Sequence, residues 1–440
     1  MKNGHQPGRR RLSAGTVVML VLLAAVLGGS VLVLGRLSSG ASVDLSKLNM
    51  SLLDLQEDGQ RNLQDTEEAP AEITAEAIPQ AARKQETQAA ETTDRKNKEG
   101  FTLTVGGSIS LSGEVRKNSQ STDTKTADYA DVMMLLAPQI NSDVNAVFLE
   151  NILSDRQKAN DNIAPEKAVT LLKEAGFDTA ACGFSQAYSS GRDGVEATLM
   201  TLDRQGISAL GIRYADDPGE PQIRTVNGVK AAFLQYSATV PVKTRNSMVK
   251  DGTDGMIPEA DIGLITKDID LARQKGAEAV IILLNWGKVG KDQDKKQREL
   301  AEGIAAAGAD LIIGNGSHLP QTAEYLNGKD SRQVLCIWSL GALLCGDRNS
   351  VKRMSGYLLH VTVRSDGQGG ALILDPEYTP VYAWKYKQDS RFYYRCIVSD
   401  GEAPDGMDSE QRKTMTRTAE TVANVLKGSP LNERGRTDGP

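Results

Sequence analysis

The stretch KKQRELAEGIAAAGADLIIGNGSH, Lys295 to His318, reads as a helix, a stop at Gly308, a short strand of Leu and Ile, and a glycine loop ending on a histidine. Helix, then glycine, then apolar strand is the order an α/β layer requires. The glycine takes the left-handed backbone at a helix end, and the apolar run suits a buried strand. The same grammar occurs three more times. In PEKAVTLLKEAGFDTAACG (165–183), Ala168, Leu171, Leu172 and Ala175 form one apolar helical face, and Gly176 is the stop before a strand from Phe177. GVEATLMTLDRQGISALGI (194–212) and IDLARQKGAEAVIILLNWG (269–287) repeat it. Such repetition predicts helices packed on a sheet.

Upstream, FTLTVGGSISL (101–111) reads as a buried strand running into a glycine turn, and QIRTVNGVKAAFLQYSA (222–238) as a hairpin turning on Asn227-Gly228. Downstream, YLLHVTVRSDGQGGALILDPEYTPVYAWKY (357–386) adds antiparallel strands, so the sheets are mixed. DSEQRKTMTRTAETVANVLKG (408–428) is a closing helix capped by Asp408 or Ser409. One layered α/β domain is expected over 100–400, a C-terminal helix over 401–427 and a disordered tail over 428–440.

Residues 1–99 have a different texture. Lys2, Arg9, Arg10 and Arg11 precede an uncharged run from Leu12 to Gly35, and about 20 apolar or small residues suffice to cross ~30 Å of hydrocarbon as a helix. The expectation is a basic cytoplasmic tail over 1–15, one transmembrane signal anchor over 16–35, and everything after it outside the cytoplasm. The competing reading, a cleaved signal peptide, usually has a shorter apolar core. Residues 41–99 hold 13 acidic and 7 basic side chains, with few bulky apolar ones after Leu63. An acidic, flexible stalk is therefore expected over 36–99.

Composition closes off several functions. With 51 Lys and Arg against 57 Asp and Glu, the net charge is −6, and no basic field is present to hold nucleic-acid phosphates. Aromatic residues make up 5%, which argues against base-stacking platforms and aromatic sugar clefts. Three histidines, His5, His318 and His360, are too few for a histidine-rich metal centre. The cysteines Cys182, Cys336, Cys345 and Cys396 lack Cys-x-x-Cys spacing. Cys336 and Cys345 are close enough for a disulfide if they flank a turn; the favoured reading is that most of the four are small buried hydrophobes.

In a layered α/β fold, ligands bind outside the C-terminal ends of the strands. The loops in those places are Gly106-Gly107-Ser108, Glu150-Asn151, Gly183 to Gly191, Asn285-Trp286-Gly287 and Gly314 to His318. No Lys-Ser/Thr follows Gly106-Gly107, as a P-loop needs. Around Ser185, Gly183-Phe184-Ser185-Gln186-Ala187 lacks the second glycine of a serine-hydrolase elbow.

Those loops, in that order, resemble the bacterial CapA family, linked to poly-γ-glutamate capsule synthesis. The resemblance covers about residues 100–350 and is carried by LLKEAGFDTAACG with Gly191, AGADLIIGNGSHLPQTAEYLNG and CIWSLGALL. It implies a metallophosphatase-like layered fold with a metal-dependent site at the strand ends. Where the family has Gly-Asp this chain has Gly106-Gly107, and where it has Asn-Leu-Glu this chain has Phe148-Leu149-Glu150. Ala-Asn-Asn-His matches Gly183-Phe184-Ser185-Gln186, and His-Trp-Gly matches Asn285-Trp286-Gly287. Gly-x-His-Pro-His matches Gly314-Asn315-Gly316-Ser317-His318, and Tyr-Ser-Leu-Gly-Asn matches Trp338 to Ala342. Metals of that kind want carboxylate oxygen and imidazole nitrogen, and at these positions only Glu150 and His318 keep such chemistry.

The resemblance therefore implies a retained scaffold with the chemistry removed. No catalytic residue, metal or cofactor is expected, and the binding-pocket candidates are Gly107, Glu150, Gln186, Asn285, Trp286, Asn315 and His318. Plainer roles stand beside these. Glu150 can accept backbone N–H bonds from a neighbouring loop, His318 can be a core or capping residue, and His360 alternates with apolar neighbours as a structural strand residue. Trp286 and Trp338 suit the core. The expected protein is a membrane-anchored, extracytoplasmic, CapA-like binding or scaffolding member of capsule or cell-envelope polymer synthesis. Its partners would be the membrane, through its N-terminal helix, and envelope polymer or capsule-synthesis proteins. The alternative is a divergent metal-dependent hydrolase around Glu150 and His318, with a divalent cation and Asp131, Asp143 or Asp155 as replacement groups.

Overall fold

The computed structural model describes residues 100–119, 129–388 and 390–435. The cytoplasmic tail, the anchor and the stalk lie outside the described residues, and among those described no helix is long and apolar enough to cross a membrane. The strands run β1 (Phe101–Ile109), β2 (Val144–Leu149), β3 (Ile152–Leu153), β4 (Ile163–Ala164), β5 (Thr179–Ala181) and β6 (Ser208–Leu210). Next come β7 (Gln222–Val226), β8 (Val229–Ser237), β9 (Ala279–Asn285), β10 (Leu311–Asn315), β11 (Ala323–Asn327) and β12 (Gln333–Ile337). The last are β13 (Ala342–Leu344), β14 (Ser355–Ser365), β15 (Ala371–Gln388), β16 (Arg391–Val398) and β17 (Asn432–Glu433). The helices are α1 (Gly113–Asn118), α2 (Thr170–Ala175), α3 (Gly191–Asp203), α4 (Val242–Lys250), α5 (Ile262–Gln274), α6 (Lys295–Ala307), α7 (Val351–Met354) and α8 (Ser409–Leu426).

Two mixed sheets result. The first is ordered β16-β15-β14-β1-β2-β5-β6, with β13 beside β1 and β17 beside β15; the second is β11-β12-β10-β9-β8-β7. In each, a parallel centre carries antiparallel strands at one or both sides: β1, β2, β5 and β6 run parallel, as do β8, β9, β10 and β12.

Period-2 alternation decides how the sheets stack. Leu103, Val105, Ala146 and Phe148 of the first sheet share one buried cluster with Phe233, Ile281, Leu283, Leu311 and Ile313 of the second. The intervening residues point the other way. Val147 and Leu149 meet Leu171 and Leu172 of α2 and Val195 and Leu202 of α3, whereas Val280, Ile282 and Ile312 meet Ile265 and Ile269 of α5 and Ile304 of α6. The layers are thus helix, sheet, sheet, helix. Each fully buried Leu, Ile or Phe contributes about 1.5–3 kcal/mol relative to exposure, so the two-faced strands carry much of the stability.

Local signals explain the element ends. Gly176 and Gly308 stop α2 and α6 at φ +93° and +107°. Asn227 and Gly228, at φ +47° and +83°, make the tight turn between β7 and β8. Asp294 opens α6 and Asp408 opens α8, each through a reciprocal bond with a Gln three residues on.

Two expectations need correction. The closing helix runs Ser409–Leu426 with Asp408 as its cap, as its residues predict, so the bound drawn at 401 is too early; Pro404 and Gly406 in between disfavour helix. The tail is ordered through 435: Leu431 is buried in the inter-sheet core, and β17 pairs with Glu377 and Tyr378 of β15. The considered Cys336–Cys345 bridge is not formed; all four cysteines are free and buried. Cys336 lies in the outer core of the second sheet, while the Cys345 thiol lies against the Arg353 carbonyl.

Candidate functional site

The parallel strands β1, β2, β9 and β10 end at the same edge of the two-sheet stack, and side chains from both sheets meet there. Glu150 follows β2, its N–H bound to the Ile109 carbonyl at 2.9 Å. One carboxylate oxygen accepts from the Ser108 hydroxyl at 2.7 Å and from the Asn285 amide at 3.4 Å. The other lies 2.5 Å from Nε2 of His318. Behind this pair, the Asn315 amide donates to Ser108 at 2.9 Å and its carbonyl accepts from Ser339 at 3.1 Å; Ser317 donates to Ser339 at 3.0 Å. Thr239 donates to the Asn285 carbonyl at 2.8 Å. Ser108 and Glu150 belong to the first sheet, and Asn285, Asn315 and His318 to the second, so these bonds fasten the layers together.

The electrostatics follow from that pairing. Burial alone would raise the Glu150 pKa, but the His318 charge and hydrogen bond, with Ser108 and Asn285, hold it below the ordinary carboxylate value. Burial alone would lower that of His318; the Glu150 charge and hydrogen bond, assisted by Asp347 and opposed by Arg353, hold it above the ordinary value. Both shifts favour the charged pair, imidazolium with carboxylate, each the other's main partner. At 16% and 11% side-chain exposure it is largely shielded from water. His318 also holds φ +58°, a left-handed backbone rare outside glycine.

The other candidates divide. Asn285 and Asn315 join the cluster directly. Trp286 does not line an opening: it is buried, stacks on Trp338 at 5.3 Å, and donates its indole N–H to the Trp338 carbonyl at 3.0 Å. Gln186 sits in the turn before α3, and no described hydrogen bond joins its side chain to the cluster. Glu150 takes side-chain donors rather than the loop N–H groups of its plainer reading, and His318 has a dedicated carboxylate. Ser108, Ser317, Ser339 and Thr239 complete the network. Nothing in the sequence marked these hydroxyls apart from the many others, beyond Ser108, Ser317 and Ser339 falling in named segments.

These residues do not fit a divalent metal. Glu150 and His318 are turned onto each other rather than onto a common third point. Gly107 is a bulge residue where the β1–β2 register shifts, and a Cβ on it would stand 2.3 Å from the Gly341 carbonyl oxygen. No carboxylate can be seated there without moving backbone. Gly316, at φ +100°, would place a Cβ 3.1 Å from the Asn285 side chain. Among the described residues no group of three or more His, Cys, Asp or Glu could hold a metal ion. Nor do the reserve carboxylates help: Asp131 pairs with Arg395, Asp143 accepts from Thr102 at the opposite end of β1, and Asp155 accepts from the Glu166 N–H. Described cavities of about 460, 190 and 80 Å³ lie elsewhere, at α8, at the ends of α5 and α6, and beside β6 and β8.

The sequence profile of the bacterial capsule synthesis protein PGA_cap matches residues 102–347, more than half of the chain. The PGA biosynthesis protein CapA of Bacillus subtilis (strain 168) is 27% identical over 207 residues, which is 46% of this chain and 52% of that protein. The chain thus spans about half the length of that relative. The capsule biosynthesis protein CapA of Bacillus anthracis is 25% identical over 294 residues, 64% of this chain and 69% of that protein. Among solved structures, the calcineurin-like phosphoesterase YfkN from Bacillus subtilis overlaps 74% of this chain and 99% of that chain, at TM-score 0.38 and 12% identity.

Proposed function

The chain belongs to the bacterial capsule synthesis protein PGA_cap family, and from that premise we propose that its α/β domain is a non-catalytic binding or scaffolding part of capsule or cell-envelope polymer synthesis. It is held outside the cytoplasm by the apolar segment over 16–35 and set off from the membrane by the acidic stretch over 36–99. The observation that carries the non-catalytic reading is the closed Glu150–His318 pair. The two side chains that retain metal-binding chemistry neutralise each other, and at Gly107 a carbonyl oxygen fills the space a ligand would need. A catalytic metal needs several fixed ligands and an open position, and this arrangement offers neither.

Elemental analysis of the purified full chain tests that reading, after dialysis without chelator and after incubation with Mn²⁺, Zn²⁺ or Fe²⁺. The expected content is below about a tenth of an equivalent under every condition. One or two equivalents, lost in Glu150→Ala or His318→Ala, would overturn it in favour of a metal-dependent hydrolase. The anchor is tested separately by deleting 16–35: the chain should move from the membrane to the soluble fraction, and retention on the membrane would refute the anchor.

A further inference from the structure

Three of the four most exposed large hydrophobics among the described residues are valines of two adjoining segments: Val242 at 64%, Val249 at 66% and Val289 at 56%. Val242 and Val249 belong to α4, and Val289 to the loop after β9. The two segments leave neighbouring strand ends, since Ser237 of β8 pairs with Asn285 of β9 and the Ala238 N–H donates to the Asn285 carbonyl at 2.9 Å. Helix α4 is seated by Met248, its one buried residue. At about 3.6 residues per turn, Val242, Asn246 and Val249 form a stripe on the side away from Met248, with Lys243 and Lys250 along its flank.

Each exposed valine has a lysine beside it in the chain, Lys243, Lys250 or Lys288, and Lys291 lies just past Val289. All four lysines are exposed, and none has an ionic partner among the described residues. The carboxylates of these segments are mostly engaged: Asp292 pairs with Lys352, Asp294 caps α6, and Asp251 accepts from the Tyr188 hydroxyl at 3.2 Å. Asp254 is left over, one negative charge against four positive. A single exposed valine is ordinary. Apolar tips interleaved with unpaired cations suit an anionic bilayer, where the valines enter between headgroups and the ammonium groups meet phosphates. An acidic polymer would use the lysines but not the valines.

We propose that α4 and the loop over 286–294 form a face that rests on an anionic lipid bilayer. The face lies at the other end of β1 from Gly100, and residues 36–99 are numerous enough for the chain to reach round the domain. It needs neither the Glu150–His318 pair nor the anchor over 16–35, so it can fail without them.

The test mixes the full chain with vesicles of phosphatidylcholine, alone or with about a third phosphatidylglycerol, each carrying some spin-labelled lipid as quencher. A fluorescent probe sits on Val249→Cys, and a control probe on Tyr325→Cys, exposed on β11; the four native cysteines are buried and escape brief labelling. On anionic vesicles the probe at 249 should be quenched at least about three-fold more than that at 325, and neutral vesicles should give no such excess. Lys243→Glu combined with Lys250→Glu should cut the excess at least about three-fold, at an unchanged melting temperature because both side chains are exposed. Flotation reads attachment through 16–35 separately, since that brings both probes to the vesicle alike. Equal quenching at the two positions, the same excess on neutral vesicles, or no effect of the lysine changes would overturn the proposal. So would a response at 249 to soluble polyglutamate without anionic lipid, since the face would then belong to an acidic polymer.

Discussion

Two buried histidines of one domain have opposite fates. His318 bridges the two sheets to Glu150 at 2.5 Å and is held above its ordinary pKa, its carboxylate partner outweighing burial. His360 lies within β14, between the hydroxyls of Thr104 and Thr379, each at 3.0 Å, with an Arg434 nitrogen 2.7 Å from its Nδ1. Burial, with the Arg434 charge, pushes it down to about 3. Arginine can only donate, so Nδ1 accepts and Nε2 carries the proton given to Thr379. The first histidine is biased towards its ion by the partner it fastens, and the second is a neutral spacer. What faces an imidazole, more than how deep it lies, sets its charge.

The hardest blow to this contrast would come from Gly107→Asp, which adds a carboxylate next to Ser108, the residue whose hydroxyl donates to Glu150. Its Cβ would stand 2.3 Å from the Gly341 carbonyl oxygen, so circular dichroism and urea unfolding should show a loss above about 4 kcal/mol or no folded protein. A folded variant that takes up Mn²⁺ would mean the strand end is a metal site in waiting.

Next in size is Glu150→Ala, which leaves the His318 cation largely buried without its partner. Breaking such a pair costs about 3 kcal/mol, measured by urea unfolding at pH 7. A double-mutant cycle with His318→Ala should give a coupling above about 1 kcal/mol; additive effects would show that the two residues stabilise independently and that the fastening is illusory.

The pH dependence separates the two histidines by sign. His360 has a folded pKa near 3 against an ordinary 6.5, so the unfolded chain binds the extra proton. Its stabilisation is complete above 6.5 and declines as pH falls towards 3, at no more than about 1.4 kcal/mol per unit. His318 works in reverse: its folded pKa is raised, so its contribution is full below the ordinary value and fades as pH rises through the raised one. Glu150 is held low, so its share is present above the ordinary carboxylate value and fades as pH falls through the lowered one. Urea midpoints between pH 4 and 9 should lose the acid-side slope in His360→Gln and the alkaline-side slope in the Glu150→Ala, His318→Ala double variant. An unchanged profile in either would refute the assignment. The smallest effect belongs to Gln186→Ala, expected within about 0.5 kcal/mol of the parent; a larger loss would bring Gln186 into the network.

The sequence made the local grammar legible, since helix, glycine and strand each depend on neighbours a few residues apart. Gly176, Gly308 and the Asn227-Gly228 turn are of that kind. What joins Glu150 to His318 depends instead on stacking two sheets whose strands lie 168 positions apart in the chain, and no local period encodes that distance. The loops that converge could be named, but not that the charged pair would close on itself. Leu431 misled for the same reason: one apolar residue in a polar run gives no pattern, yet it is buried in the core beside the strand that pairs with β15. Trp286 had both readings open, pocket wall and core, and it is the core, the commoner place for so large a side chain, that the fold gives it.

Glycine at 107 is also a commitment. A glycine can replace almost any side chain without resistance, but the opposite step requires room. Here the room is filled by a main-chain oxygen of Gly341, itself at φ +78° and so placed that a Cβ on it would meet the backbone of Ser355, Pro320 and Gly356. A side chain at 107 would require several backbone segments to shift together. At this strand end, single substitutions can retune the Glu150–His318 pair, but none alone can open space at 107.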